Sequence, residues 1–239
     1  LKADKNVKLL YLIPNFQNPT GRTMSLAKRK AVYDLACKYD FIILEDNPYG
    51  DLRFAGEDIP SIKSMDTEGR VIYTGTFSKI LSPGFRTGYV SAPAEIIQKI
   101  VVCKQVSDVH SNMWAQVVSH RFMTTVDVQA HFNMLRDIYR EKCELMCSYI
   151  DNGFSKNITY SKPEGGLFIW CTLPEGSNMN EFCTRAVQEY KVAVVPGNSF
   201  NIRENDPNCS FRLNFSTPTN QQISDGMEIL SKMTKEMFG

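Results

Sequence analysis

The chain has 239 residues, 43% of them hydrophobic, enough to bury the core of one large domain or two modest ones. Charged residues make up 22% and the formal net charge is +1, so no global field draws the chain to nucleic acid or to an anionic membrane. No apolar run is long enough to span a bilayer, and Leu1-Lys2-Ala3-Asp4-Lys5 lacks the apolar stretch and small-residue cleavage pattern of a signal peptide. Seven irregularly spaced cysteines read as reduced thiols in a cytoplasmic protein. Cys143 and Cys147 lie one helical turn apart, but no second pair or histidine cluster completes a metal site. They are expected to be buried structural thiols.

Taken in chain order, the first element is already a buried-strand pattern, Leu9 to Ile13, with almost no lead-in. A chain that opens in mid-sheet is expected to be a piece of something longer. Further apolar runs at Phe41 to Leu44, Val71 to Tyr73 and Gly88 to Val90 are near-continuous rather than alternating, as in strands covered on both faces. A helix between the first two has Ser25 as its N-cap and Val32, Leu35, Ala36 and Tyr39 on one face. This βαβ unit predicts parallel pairing of the first two strands. The link from Tyr73 to Gly88 carries Pro83 and Gly84 without a helical pattern, so the fourth strand should run antiparallel.

A helix-rich stretch follows from about Ala94, and its last part, Val128 to Ile150, is long enough to bridge two domains before Gly153 stops it. Short strands at Leu167 to Thr172, Val192 to Val195 and Ser210 to Phe215, a helix over Asn180 to Tyr190 and a closing helix from Asn220 complete the chain. The expected division is 1–127 for a large domain, 128–154 for an interdomain helix and 155–239 for a small αβ domain.

In open α/β sheets, ligands bind beyond the carboxyl ends of the strands. Three such ends carry Pro14-Asn15-Phe16-Gln17-Asn18-Pro19-Thr20-Gly21, then Glu45-Asp46-Asn47-Pro48-Tyr49, then Gly75-Thr76-Phe77-Ser78-Lys79 with Ser82-Pro83-Gly84-Phe85-Arg86 behind it. Neighbouring strands would gather an amide, a carboxylate, a phenol, a lysine, two hydroxyls and an arginine at one rim. Each has an ordinary rival role: a loop lysine is usually a solvated charge, an aspartate after a strand a turn cap, and a tyrosine a core aromatic. Asn-Pro by itself marks only a turn. In Ser210 to Ser216, Phe211, Leu213 and Phe215 should face one way and Arg212 and Asn214 the other.

The set Asn-Pro-Thr-Gly, Asp-x-x-Tyr, Thr76-Phe77-Ser78-Lys79 and Pro-Gly-x-Arg-x-Gly resembles fold-type I aminotransferases of class I/II. Tyr49-Gly50-Asp51-Leu52-Arg53-Phe54 is similar to the aminoadipate/kynurenine aminotransferase and MocR-type branch. Pro163-Glu164-Gly165-Gly166-Leu167-Phe168, Val195-Pro196-Gly197-Asn198-Ser199-Phe200 and Arg212-Leu213-Asn214-Phe215-Ser216 follow in family order. The resemblance implies part of a large domain with a mostly parallel sheet and one antiparallel strand flanked by helices, plus a small C-terminal αβ domain.

By the same resemblance the cofactor is pyridoxal 5'-phosphate. Lys79 is its Schiff-base residue and then the proton shuttle between substrate Cα and cofactor C4′. Asp46 pairs with the pyridine nitrogen, and Asn18 and Tyr49 hydrogen-bond the phenolic oxygen. Thr76, Ser78 and Arg86 hold the phosphate. Arg212 takes the substrate α-carboxylate with Asn18 beside it, and Gly165 and Gly166 let backbone approach the substrate. Implied partners are a 2-amino acid, a 2-oxo acid and a second copy in a homodimer, with no membrane and no nucleic acid bound through this segment. The family's remaining phosphate contacts and its ring-stacking aromatic would precede Leu1, so this segment alone is expected to be inactive. Two other readings stand beside the transaminase. One is the effector-binding part of a MocR-type regulator; the other is an α/β interaction module in which Lys79 is ordinary.

Overall fold

The computed structural model describes residues 6–203 and 206–239, which form two units: residues 6–15 with Thr23–Leu135, and Phe16–Arg22 with Arg136–Gly239. The opening pentapeptide lies outside the described residues.

In the first unit, strands β1 (Leu9–Leu12), β2 (Ile42–Asp46), β3 (Val71–Thr76) and β4 (Gly88–Ser91) form one sheet in sequential order. The first three run parallel and β4 returns antiparallel to β3, as the poor crossover between them predicts. Parallel pairing brings the carboxyl ends of β1, β2 and β3 to one rim.

Helix α1 (Leu26–Tyr39) is started by Ser25, whose hydroxyl accepts from the Lys28 N–H, and is stopped by Asp40 in the left-handed conformation. Its inner face packs on a core of Ala36, Phe41, Ile43, Ile62 and Val71, with Leu10, Leu12, Val32, Tyr33 and Tyr39 around it. Leu35 departs from the expected face and is exposed. The buried stripe runs through Arg29, Val32, Tyr33 and Ala36, and one residue off that stripe is a rotation of about 100°. The strands are also less covered than their composition predicts: Leu9 and Tyr11 are about half exposed, and all of β4 is exposed. Alternate side chains face opposite sides, and α1 covers only the side of Leu10 and Leu12. The helix-rich stretch resolves into α2 (Ala94–Ser107), α3 (Met113–Thr125) and α4 (Val128–Gly153), whose residues divide between the units after Leu135.

The loop into β3 is closed by one carboxylate. Asp66 accepts from the Arg70 N–H at 2.8 Å, the Val71 N–H at 3.1 Å and the Lys63 ammonium at 2.9 Å, with its side chain 1% exposed. Burial by itself would raise its pKa, but these donors outweigh burial and hold it below the ordinary value. A depressed folded-state pKa adds stability above the unfolded pKa, which is lost as pH falls through the folded value. Asp66→Asn is therefore expected to lower unfolding free energy by about 1.5–3 kcal/mol at pH 7. In denaturant titrations the gap from the parent should begin to narrow below about pH 4, where the unfolded chain's carboxylate protonates, and close as pH falls through the lower folded-state value. A gap of constant size down to pH 2 would show that charge is not what Asp66 contributes.

In the second unit, β5 (Thr159–Ser161), β6 (Phe168–Thr172), β8 (Ser210–Asn214) and β7 (Val195–Pro196) form an antiparallel sheet in that order. Helices α5 (Met179–Gln188) and α6 (Asn220–Phe238) accompany it, α6 opening on a capping box between Thr219 and Gln222. The strand expected over Val192 to Val195 shrinks to the two residues of β7, and β5 is too short to leave a periodic signal. Phe211, Leu213 and Phe215 are buried as the alternation predicts. Cys143 and Cys147 are buried free thiols with their sulfurs 3.9 Å apart. Among the described residues no group of acidic, histidine and cysteine side chains could hold a metal, and no helix is long and apolar enough to cross a membrane.

Candidate functional site

The residues picked from sequence fall into two groups, one in each unit. At the carboxyl rim of the first unit's sheet, Asp46 is the last residue of β2 and pairs in register with Thr74 of β3. Its Oδ1 accepts from the Thr74 hydroxyl at 2.9 Å and its Oδ2 from the Tyr11 hydroxyl at 2.6 Å, so both oxygens are oriented. Burial first, and then the bond to Asp46, push the Tyr11 phenol well above its ordinary pKa, so it acts as a donor. Tyr49 follows on the same rim and is buried, opening a 3-10 turn over Gly50–Leu52.

Lys79 stands in the turn after β3. The Phe77 carbonyl accepts from both Leu81 N–H (2.9 Å) and Ser82 N–H (3.2 Å), closing backbone around the lysine. Just before it, the Thr76 hydroxyl accepts from the Ser78 N–H at 3.1 Å. Arg86 ends the 3-10 turn Pro83–Phe85 in the left-handed conformation and reaches back to Ser78 Oγ at 3.4 Å and the Pro83 carbonyl at 3.2 Å. Thr76, Ser78 and Arg86 thus form one connected cluster of two hydroxyls and a guanidinium. That donor set fits a phosphate dianion. A lysine, a cluster of two hydroxyls and a guanidinium, and an oriented carboxylate on one rim fit the chemistry that pyridoxal phosphate requires.

The second unit holds Asn18 and Arg212, and Arg212 donates to Asn18 Oδ1 at 2.6 Å. Because arginine has only donors, the facing amide atom must be oxygen, which leaves Nδ2 as Asn18's donor. The Arg212 guanidinium lies over the Phe168 ring at 4.4 Å and the Phe200 ring at 5.3 Å. Gly166, in the left-handed region at φ 73°, packs against Phe16, where an added Cβ would come within 2.4 Å of the Phe16 Cβ. The close approach at this glycine is therefore to the segment that carries Asn18. No such role emerges for Gly165.

Four polar residues beneath the first unit's rim escaped the sequence reading. Arg29 is fully buried and donates to the carbonyls of Pro14, Met24, Ile59 and Pro60 and to Asn15 Oδ1. Asn15 Nδ2 continues to Asn47 Oδ1 at 2.8 Å, and Asn47 Nδ2 to the Tyr73 hydroxyl at 2.7 Å. Burial lowers the Arg29 pKa and raises that of the neighbouring Glu45, each countered in part by the other's charge. One sequence signal pointed to Arg29: it lies three residues before Val32 and seven before Ala36 on the apolar stripe.

Comparison with known proteins places the chain among aminotransferases. The family described as aminotransferase class I and II matches residues 1–230. An aromatic-amino-acid aminotransferase of Thermococcus litoralis is 41% identical over 235 residues, covering 98% of this chain and 56% of the relative. A crystal structure of Pyrococcus horikoshii kynurenine aminotransferase, in complex with PMP, superposes with a TM-score of 0.93 at 40% identity, over 98% of this chain and 57% of that one. An α-aminoadipate aminotransferase from Thermus thermophilus, complexed with N-(5'-phosphopyridoxyl)-L-leucine, gives 0.89 at 34% identity, over 96% and 59%. The chain spans a little over half the length of the relatives it matches.

Proposed function

Since the chain belongs to the class I and II aminotransferases, we propose that it supplies the lysine-bearing part of an enzyme moving an amino group between a 2-amino acid and a 2-oxo acid with pyridoxal 5'-phosphate. The observation that carries this reading is the rim of the first unit. There the oriented Asp46 carboxylate, the Lys79 turn and the Thr76–Ser78–Arg86 cluster end adjacent strands. When bound, the cofactor supplies an electron sink for the pair released at the substrate Cα.

Everything else falls to side chains. Lys79 would supply the amine that holds the cofactor, and once freed by the substrate it would take the proton from the substrate Cα and return it at the cofactor C4′. The Asp46 carboxylate accepts the pyridinium N–H and keeps that nitrogen protonated. Thr76 and Ser78 donate to the phosphate while Arg86 adds a fixed charge and a planar fork. The Tyr49 hydroxyl and Asn18 Nδ2 donate to the ring's phenolic oxygen, and Arg212 with Asn18 takes the substrate α-carboxylate. A homodimer, a cytoplasmic location and the division into 1–127, 128–154 and 155–239 belong to the same proposal.

The test compares substrates with and without a carboxylate. In the full-length protein loaded with pyridoxal phosphate, Arg212→Ala should weaken every 2-amino acid about tenfold to a hundredfold, the loss of a charge-assisted contact worth about 1.5–3 kcal/mol. The visible band of the lysine-bound cofactor should persist. Amines lacking a carboxylate should be nearly unaffected, which separates anion binding from the packing of Arg212 on Phe168 and Phe200. Equal losses for both substrate types would assign Arg212 to structure alone.

A further inference from the structure

We infer that His131 is a positioning residue for Lys79: its imidazole holds the backbone carbonyl of Ile80, the residue after the lysine, and so fixes the turn from which the amine extends. This rests on the reading of Lys79 given above. His131 Nε2 lies 2.7 Å from the Ile80 carbonyl oxygen, a bond spanning 51 residues of sequence and joining α4 to the β3 turn. A carbonyl only accepts, so Nε2 carries the proton, and in the neutral ring Nδ1 is bare.

The support behind the imidazole is rigid. Asp127 Oδ1 caps α4 through the Ala130 N–H at 2.9 Å, and the Asp127 carbonyl accepts from the His131 N–H at 3.1 Å. His131 therefore sits in the first turn of α4, where its position is fixed by the cap. Its ring meets Phe122 edge-on with centroids 5.0 Å apart and Phe132 at 6.3 Å. On the other side of the bond, the Ile80 side chain is buried, and Phe77 closes the turn through Leu81 and Ser82. Ile80 is thus held by its side chain in the core and by its carbonyl from α4. Side chain and carbonyl together hold the backbone of Ile80 in place, and Lys79 is joined to that held residue through a single planar peptide. Small displacements matter here, because the same amine must reach first the cofactor and then the substrate Cα.

The experiment uses the full-length protein with pyridoxal phosphate and three variants. Gln places an amide nitrogen where Nε2 stood, Asn reaches only as far as Nδ1, and Phe keeps the ring but removes the donor. His131→Phe and His131→Asn should lower kcat roughly tenfold to a hundredfold and move the pH midpoint of the lysine-bound cofactor band. His131→Gln should stay within about threefold of the parent in kcat, with its band midpoint unmoved. KM for the amino acid should change little in all three, since none alters the substrate contacts. Equal losses in Gln and Asn variants would overturn the inference, and so would a parent-like rate and band in the Asn and Phe variants. If Phe fails to fold, the Gln–Asn pair decides alone. A parent protein with no lysine-bound cofactor band would instead refute the reading of Lys79 itself.

Discussion

Lys79→Ala, made in the full-length protein, should lower transamination turnover by about 10⁴-fold or more. On the proposed reading two functions would end together: the amine that holds the cofactor and the base that carries the Cα proton. Alanine supplies neither, and the structure places no second lysine in the turn closed by Phe77, Leu81 and Ser82. Cofactor affinity should fall far less than turnover. Asp46 and the Thr76–Ser78–Arg86 cluster do not depend on the lysine side chain for their geometry. The variant should therefore bind pyridoxal phosphate with the spectrum of the unbonded aldehyde, and a small primary amine in the buffer should restore part of the rate. Single-turnover kinetics and an absorbance spectrum read both effects. A variant turning over at near the parent rate would remove Lys79 from the chemistry.

Asp46→Asn should cost about 10²–10³-fold in the single-turnover rate, the scale for removing one fixed electrostatic partner of a developing charge. The substitution is nearly isosteric, and its surroundings can adjust. The new amide nitrogen faces a hydroxyl, either Tyr11 or Thr74, and a hydroxyl can turn to accept. What is lost is the negative charge that keeps the ring nitrogen protonated. Arg86→Ala gives the contrast: with its guanidinium assigned to the phosphate by the proposal, the cofactor dissociation constant should rise first and the rate of loaded protein should change less. Titration of pyridoxal phosphate into each variant, followed by single-turnover measurement, separates them. Matching defects in both would mean that at least one of the two roles is misassigned.

How much of this was legible in the sequence depends on the range of each signal. The parallel strands, the antiparallel return of β4 and the facing of Arg212 away from Phe211 and Leu213 follow from short-range rules, and the structure has them. The family was legible because several rare residue types recur in one order, and the family match over residues 1–230 agrees. Tyr11, Asn15, Asn47 and His131 were not, because each acts through a partner 32 to 51 residues away. Arg29 escaped for another reason. A lone cation on an apolar stripe reads as a surface residue until four backbone carbonyls are found waiting for it. Leu35 erred oppositely: apolar composition suggested a buried face where the helical rotation turns the side chain outward.

If Arg212 takes the substrate carboxylate as proposed, its lodging between Phe168 and Phe200, with Asn18 as its tether, has a consequence for how that anion is recognised. A free arginine side chain gives up about 2 kcal/mol of rotamer entropy when it is fixed. Here much of that loss falls on folding, because two aromatic planes and an amide oxygen already confine the guanidinium before any anion arrives. An arriving carboxylate meets a fork whose direction is set, so more of the contact's gross strength survives as net affinity. The arrangement therefore favours ligands whose carboxylate matches a fixed direction over those that would need the arginine to follow them.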